Sequence, residues 1–341
     1  MAAAELAAGR KAGARLIRCD SPFYPAALLE IDGAPPILWV RGDPAWLSKN
    51  PVAVIGARNA SSLGLRMARG MAAGLGEAGH TIVAGLARGI DTAAHNAALP
   101  TGTIAVMAGG VDVIYPAENT VLAAQIAEKG ALVSEQPPGV EPQARHFPTR
   151  NRIVSGLSLA VVVIEAAHRS GTLITARNAL DQGREVMAVP GHPMDARASG
   201  CNALIRDGAL LVRAAADVLV ALNHDLAPTQ PVQQSAEPAP SPARKGMAGA
   251  LQPAAVARRL AQLGHAMRRE APARPLPSDA GGPASLESRI LSKLSPSPTE
   301  ENLLIRDLGL PAATLAPALL SLELAGQVRR LAGGRIALVT G

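Results

Sequence analysis

The stretch VAVIGARNASSLG, Val52–Gly64, runs from an unbroken apolar segment through a glycine into a helix-like pattern. An apolar run without alternation is the mark of a strand buried on both faces. A glycine directly after such a strand, at the start of a helix, makes a phosphate-binding turn. Gly56 lets a ligand approach the backbone, and the helix presents its first N–H groups to an anion. The spacing G-x-G-x-x-G is not kept: Arg58 stands where the second glycine belongs, and the third is missing. A guanidinium there offers a charge-assisted, bidentate contact to phosphate. A dinucleotide site also needs an acid at the end of the second strand. That strand ends in Ala84-Gly85, and the first acid after it, Asp91, reads as helix capping with Thr92.

Working outward, further apolar runs recur at TIVAG (81–85), TIAVM (103–107), ALVSE (131–135), LAVVVIEA (159–166), EVMAVPG (185–191) and ALLV (209–212). Helical patterns separate them near 92–99, 118–129, 149–156, 172–183 and 214–222. Between the first two runs, Leu63, Met67, Met71 and Leu75 recur every four residues, a core-facing helical stripe. Regular alternation of strand and helix predicts an α/β fold, an extended Rossmann-like, doubly wound and mostly parallel sheet over residues 51–222. Residues 1–50 read as a short lead-in, a truncated helical domain.

After residue 222 the texture changes. Residues 223–284 are rich in Pro, Ala, Ser and Gln and read as a disordered linker. Within it, residues 250–271 admit two readings, an amphipathic basic helix or an Ala-rich tether. Residues 285–341 give three short helices and a hairpin around Gly333-Gly334, a winged-helix-like layout. Its third helix carries no Arg or Lys, which favours an interaction module over a sequence reader.

Net charge is +6, yet residues 51–222 hold 14 basic and 13 acidic residues. The excess sits in residues 244–274, where seven basic groups face Glu270 alone, and a basic tether suits a polyanion. Two cysteines, Cys19 and Cys201, without a C-x-x-C, fit a reducing cytoplasm and give no cysteine-based zinc site. No apolar run is long enough for a membrane span, and no signal peptide is read at the N-terminus. The location expected is cytoplasmic. No metal or cofactor is expected, and none of the common hydrolase, protease or P-loop motifs occurs.

The chemistry-bearing segments fall at the carboxyl ends of the strands. The second ends in Gly85-Leu86-Ala87-Arg88. ARHFPTRNR (144–152) gathers Arg145, Arg150, Arg152, His146 and Asn151 around Phe147. Cations interleaved with an aromatic ring suit single-stranded nucleic acid, where phosphates meet Arg and a base stacks on the ring. The plainer alternative places Phe147 in the core and pairs the arginines with Glu135 or Glu141. Ser170-Gly171-Thr172 opens another helix, as an anion site or as simple capping. Glu165, at a strand end, is the one acid placed for catalysis; orienting Arg58 or Arg150 is the preferred role.

As a set, VAVIGARNASSLG, VAGLARGIDTAAH, TIAVMAGGVDVIYPAEN, LVSEQPPG, HFPTRNRIVSGLS, VIEAAHRSGTLITARNALDQGREVMAVPG and GCNALIRDGA resemble the DprA/Smf family of DNA-processing proteins over roughly residues 13–213. The resemblance implies single-stranded DNA binding without strong sequence preference, loading of the RecA recombinase during natural transformation and recombination, a homodimer, and no catalytic turnover. By motif it implies DNA contacts from Gly56, Arg58, Phe147, Arg150, Asn151, Arg152, Ser170, Gly171 and Thr172; Arg88, on the same rim, joins them. Ala117 departs from the pattern, since many relatives carry Lys or Arg after I-Y-P. Two alternatives accompany this reading. One is a nucleotide-processing enzyme of the phosphoribohydrolase-like group, whose P-G-G-x-G-T-x-x-E loop is replaced here by Arg169-Ser170-Gly171-Thr172. The other is a protein-interaction scaffold acting through the C-terminal domain.

Overall fold

The computed structural model describes residues 2–226 and 286–339. The apolar runs become β3 (Pro51–Ile55), β4 (Thr81–Ala84), β5 (Thr103–Val106), β6 (Ala131–Ser134), β7 (Ala160–Val163), β8 (Glu185–Ala188) and β9 (Leu210–Leu211). All are parallel to their neighbours within this set. Two strands from the lead-in, β1 (Arg15–Arg18) and β2 (Ile37–Gly42), extend one edge in antiparallel register. The nine-stranded order is β1-β2-β6-β5-β4-β3-β7-β8-β9.

The connecting helices are α1 (Ala2–Lys11), α2 (Ala26–Leu29), α3 (Ser62–Glu77), α4 (Ile90–Ala98), α5 (Thr120–Lys129), α6 (His146–Leu157), α7 (Thr172–Asp181), α8 (Ser199–Arg206) and α9 (Ala215–Leu226). Period-two geometry sends Val52, Val54 and Val162 to a core shared with α3, α4 and α9. Ala53, Ile55, Val161 and Val163 face the opposite core with α6, α7 and α8. Each fully buried valine contributes about 1.5–3 kcal/mol, and two-sided coverage is why these runs lack polar alternation.

Residues 1–50 are not a separate helical lead-in. Their β2 carries Leu38, Trp39 and Val40, all buried, and pairs with β6. The stripe on α3 also differs from expectation. Its deepest residues are Ala68, Met71, Ala72 and Leu75, whereas Leu63 and Met67 line a cavity beside the C-terminal domain. Ala68 and Ala72 let α3 approach the sheet closely, with Met71 and Leu75 filling the core beside them. Among the described residues no single helix is long and apolar enough to cross a membrane.

The C-terminal domain comprises α10 (Leu286–Lys293), β10 (Thr299–Glu300), α11 (Glu301–Leu308), α12 (Ala312–Leu324), β11 (Val328–Leu331) and β12 (Arg335–Leu338). Its antiparallel sheet has the order β10-β12-β11. Ile290, Leu304, Leu315, Leu319 and Ile336 form its core, in a winged-helix arrangement. The predicted linker and its basic segment lie almost wholly outside the described residues; α9 continues past residue 222.

Candidate nucleic-acid interface

Strand order reverses between β3 and β7, which pair directly while α3 and α7 leave them on opposite faces. Ligands on doubly wound sheets bind outside the carboxyl ends at such a point. Here two turns are tied together. Thr172 Oγ1 donates to the Gly56 carbonyl at 3.0 Å, and Ser170 Oγ accepts from the Thr172 N–H at 3.2 Å. A cavity of about 600 Å³ lies against them, lined by Gly56, Arg58, Phe147, Asn151 and the Ser170-Gly171-Thr172 turn. Gly56 has no room for a side chain, because a Cβ would strike Ile90.

Arg58 is exposed, and its guanidinium carbon lies 5.4 Å from the centroid of the Phe147 ring. That is cation–π distance. The Tyr115 ring, half-exposed, stands 5.7 Å from Phe147 at an interplanar angle of 60°. A second cavity of about 330 Å³ adjoins the first and is lined by Arg58, Arg88, Tyr115 and Phe147. Two half-covered rings beside exposed cations give a surface that accepts both phosphates and base faces.

The arginines of ARHFPTRNR divide, because the segment is helical from His146 and not a loop. Residues three apart share a helix face, so Phe147 and Arg150 point to the rim; Arg152, two positions on, turns away. Arg150 is nevertheless not an exposed contact. Its Nη1 donates to the Gly85 carbonyl at 2.7 Å and to the Val106 carbonyl, clamping the carboxyl ends of β4 and β5. Gly85 must lack a side chain, since a Cβ would occupy the place of the guanidinium. Burial lowers the Arg150 pKa to about 10, against the opposing pull of the nearby Asp91 carboxylate. Arg152 is bonded to Glu135 and lines neither rim cavity. Arg88 faces the second cavity and pairs with Glu118 at 2.9 Å, both half-exposed.

Asp91 does not cap α4; that position belongs to Gly89. Its Oδ2 instead accepts from the N–H groups of Gly85 at 2.9 Å and Ala87 at 3.3 Å. Between them Leu86 is held at φ +56°, and Asn119 Nδ2 donates to its carbonyl at 2.9 Å. A left-handed leucine costs about 1–3 kcal/mol, and such strain gathers at functional sites. Burial raises the Asp91 pKa, while Arg150 and the two N–H groups oppose the rise. Among the described residues Glu165 is bonded to no arginine: it accepts from the N–H and hydroxyl of Ser61, fixing the start of α3.

The structure thus brings Gly56, Arg58, Phe147, Asn151, Ser170, Gly171 and Thr172 to one crevice, with Arg88 beside it. It adds Tyr115, Arg169 and Arg197, which the sequence reading did not assign. Tyr115 had a signal: it is one of two tyrosines in an aromatic-poor chain and stands in the I-Y-P segment.

Residues 15–223 match the model of the family described as DNA recombination-mediator protein A, and residues 270–334 match the DprA winged helix domain. Protein Smf of Escherichia coli is 47% identical over 214 residues, covering 62% of this chain and 57% of that protein. The match therefore spans little more than half of that relative's length. The solved structure of DNA processing protein A from Streptococcus pneumoniae is 42% identical, covers 61% of this chain and 74% of its own, and superposes with a TM-score of 0.59. DNA processing protein A from Helicobacter pylori, solved for its single-stranded DNA binding mode, is 28% identical with a TM-score of 0.57, covering 63% of this chain and 98% of its own.

Proposed function

The chain belongs to the DNA recombination-mediator protein A family, and from that premise we propose that it binds single-stranded DNA across the β3/β7 rim. The observation that carries this reading is the exposed Arg58 stacked on Phe147, with Tyr115 beside it, at the point where strand order reverses. In the reading, Arg58 and the Ser170-Gly171-Thr172 turn take phosphates, Asn151 lies along the same crevice, and Phe147 and Tyr115 stack on bases. The backbone of every strand is alike and every base has a π face, so sequence preference is weak. Arg150 acts from behind as a positioning residue.

The bound strand is handed to the RecA recombinase, in the cytoplasm, during DNA uptake and recombination, and the protein turns over no substrate. The chain acts as a homodimer. The end of the sheet at β9 supports that assembly, since Leu210 and Leu211 are each 44% exposed on an edge strand.

Titration of labelled oligonucleotides, single- and double-stranded, tests the first step. Single strands of unrelated sequence bind with similar affinity and duplexes bind more weakly; a marked preference for duplex contradicts the reading. A recombinase-loading assay on strands coated with single-strand binding protein tests the second, with faster joint-molecule formation expected.

A further inference from the structure

Among the described residues, Arg197, Lys293 and Arg69 make polar contacts between the winged helix and the sheet domain. Arg197, in the turn before α8, lines the rim cavity together with Arg58 and Ser170. Its Nη1 donates to the carbonyl of Ser292 at 2.8 Å, at the end of α10, and its Nη2 to the carbonyl of Leu294. Nε holds Asp195 Oδ1 at 3.2 Å, so the whole guanidinium is engaged. Lys293 Nζ donates to the carbonyl of Ala60 at 3.3 Å, in the loop that follows Arg58. Arg69 on α3 pairs with Asp307 on α11 at 3.2 Å, and the Asp307 side chain is only 3% exposed.

The Arg197 and Lys293 contacts fall on or beside the rim crevice, whereas the Arg69–Asp307 pair lies farther along α3. Asn59, which lines both rim cavities, also lines the seam with Leu291, Pro296 and Leu338 of the winged helix. A cation of the rim cavity is therefore already held by two carbonyls of another domain. The interface mixes these polar contacts with apolar side chains of the seam, and it covers the Asp307 carboxylate, whose desolvation weakens the union.

We propose that the winged helix is an intramolecular latch on the rim. Docked, it holds Arg197 and the Arg58–Ser61 loop; single-stranded DNA binds the undocked form, in which Arg197 turns to a phosphate. DNA and the winged helix then compete, and by linkage each lowers the affinity of the other by the same factor. The proposal rests on the rim being the DNA site.

The test uses the full chain and a 20-nucleotide single strand. Asp307→Ala and Arg69→Ala each remove one side of the ion pair from outside both rim cavities. Each is expected to tighten binding by about fivefold or more. The reversed pair, Arg69→Asp with Asp307→Arg, restores the contact and returns the affinity to the wild-type value. Amide exchange in α10 of the wild-type chain should rise when the strand is added. Unchanged or weaker binding by both single variants, or exchange in α10 that slows on DNA binding, overturns the latch. Arg58→Ala in the same titration separates the two ideas: if it binds as wild type, the rim reading itself fails.

Discussion

The rim of the large sheet and the winged helix make an instructive pair. The winged helix has the architecture more often associated with DNA, yet α12, which would enter a groove, is apolar on its outer side, with Leu320 and Leu324 exposed. Its arginines lie on the hairpin, and Arg330 there pairs with Glu301 and Glu323. The rim carries no motif of a groove reader. It has exposed arginines, two unburied rings, a left-handed leucine and a buried arginine bracing the strand ends. Function follows side-chain chemistry and strain at a site rather than the reputation of a fold.

The sharpest way to break that contrast is to remove the brace. Arg150→Ala leaves the Gly85 and Val106 carbonyls without their buried donor and removes the charge that opposes the burial of the Asp91 carboxylate. The expected cost is about 3–5 kcal/mol in denaturant unfolding, the scale for breaking a buried charged pair. A loss under about 1 kcal/mol would show that the guanidinium bears no structural load.

Acid separates the two domains next. His95 is buried against Thr103, and burial lowers its pKa to about 3 from an ordinary 6.5. Above pH 6.5 it is neutral in both states. Below that, the unfolded chain takes up a proton that the native chain refuses. Stability therefore falls as pH drops from 6.5 toward 3, by about 1.4 kcal/mol per unit. The raised pKa of Asp91 acts in the opposite sense, so the comparison is made against His95→Gln, which should flatten the slope between pH 6.5 and 5. The described part of the winged helix contains no histidine, so acid should unfold the sheet domain first.

The exposed rings come after these. Phe147→Ala and Tyr115→Ala should each weaken single-strand binding by about 1–3 kcal/mol, with the unfolding midpoint little changed. Equal affinity for all three proteins in fluorescence anisotropy would remove the stacking surface from the account. Smallest of all, Arg152→Ala and Arg329→Ala should leave single-strand affinity within about 0.5 kcal/mol of wild type. A tenfold loss in Arg329→Ala would restore the winged hairpin as a DNA contact.

Much of this was legible in the chain itself. Two-sided burial writes itself as unbroken apolar runs, which is why β3 to β8 were readable, and a glycine followed by Arg58 marked the turn. What escaped notice depended on long-range pairing. The β2 segment ILWVRG becomes a strand by adding to the edge of β6, and nothing local declares that partner. The arginines of HFPTRNR read as one cationic group around Phe147, whereas helical phase sends Arg150 inward to β4 and β5 and Arg152 toward Glu135. Asp91 and Glu165 likewise looked like a cap and an arginine partner, because the N–H groups they hold lie in turns whose shape only the assembled sheet fixes.

The most direct measurement is the salt dependence of single-strand binding by the wild-type chain and by Arg58→Ala, side by side. If Arg58 holds one backbone phosphate, the variant binds more weakly and its slope of log K against log salt is shallower by about 0.7, the value for one phosphate on a single strand. Two coincident lines would mean that the phosphate path does not cross this turn.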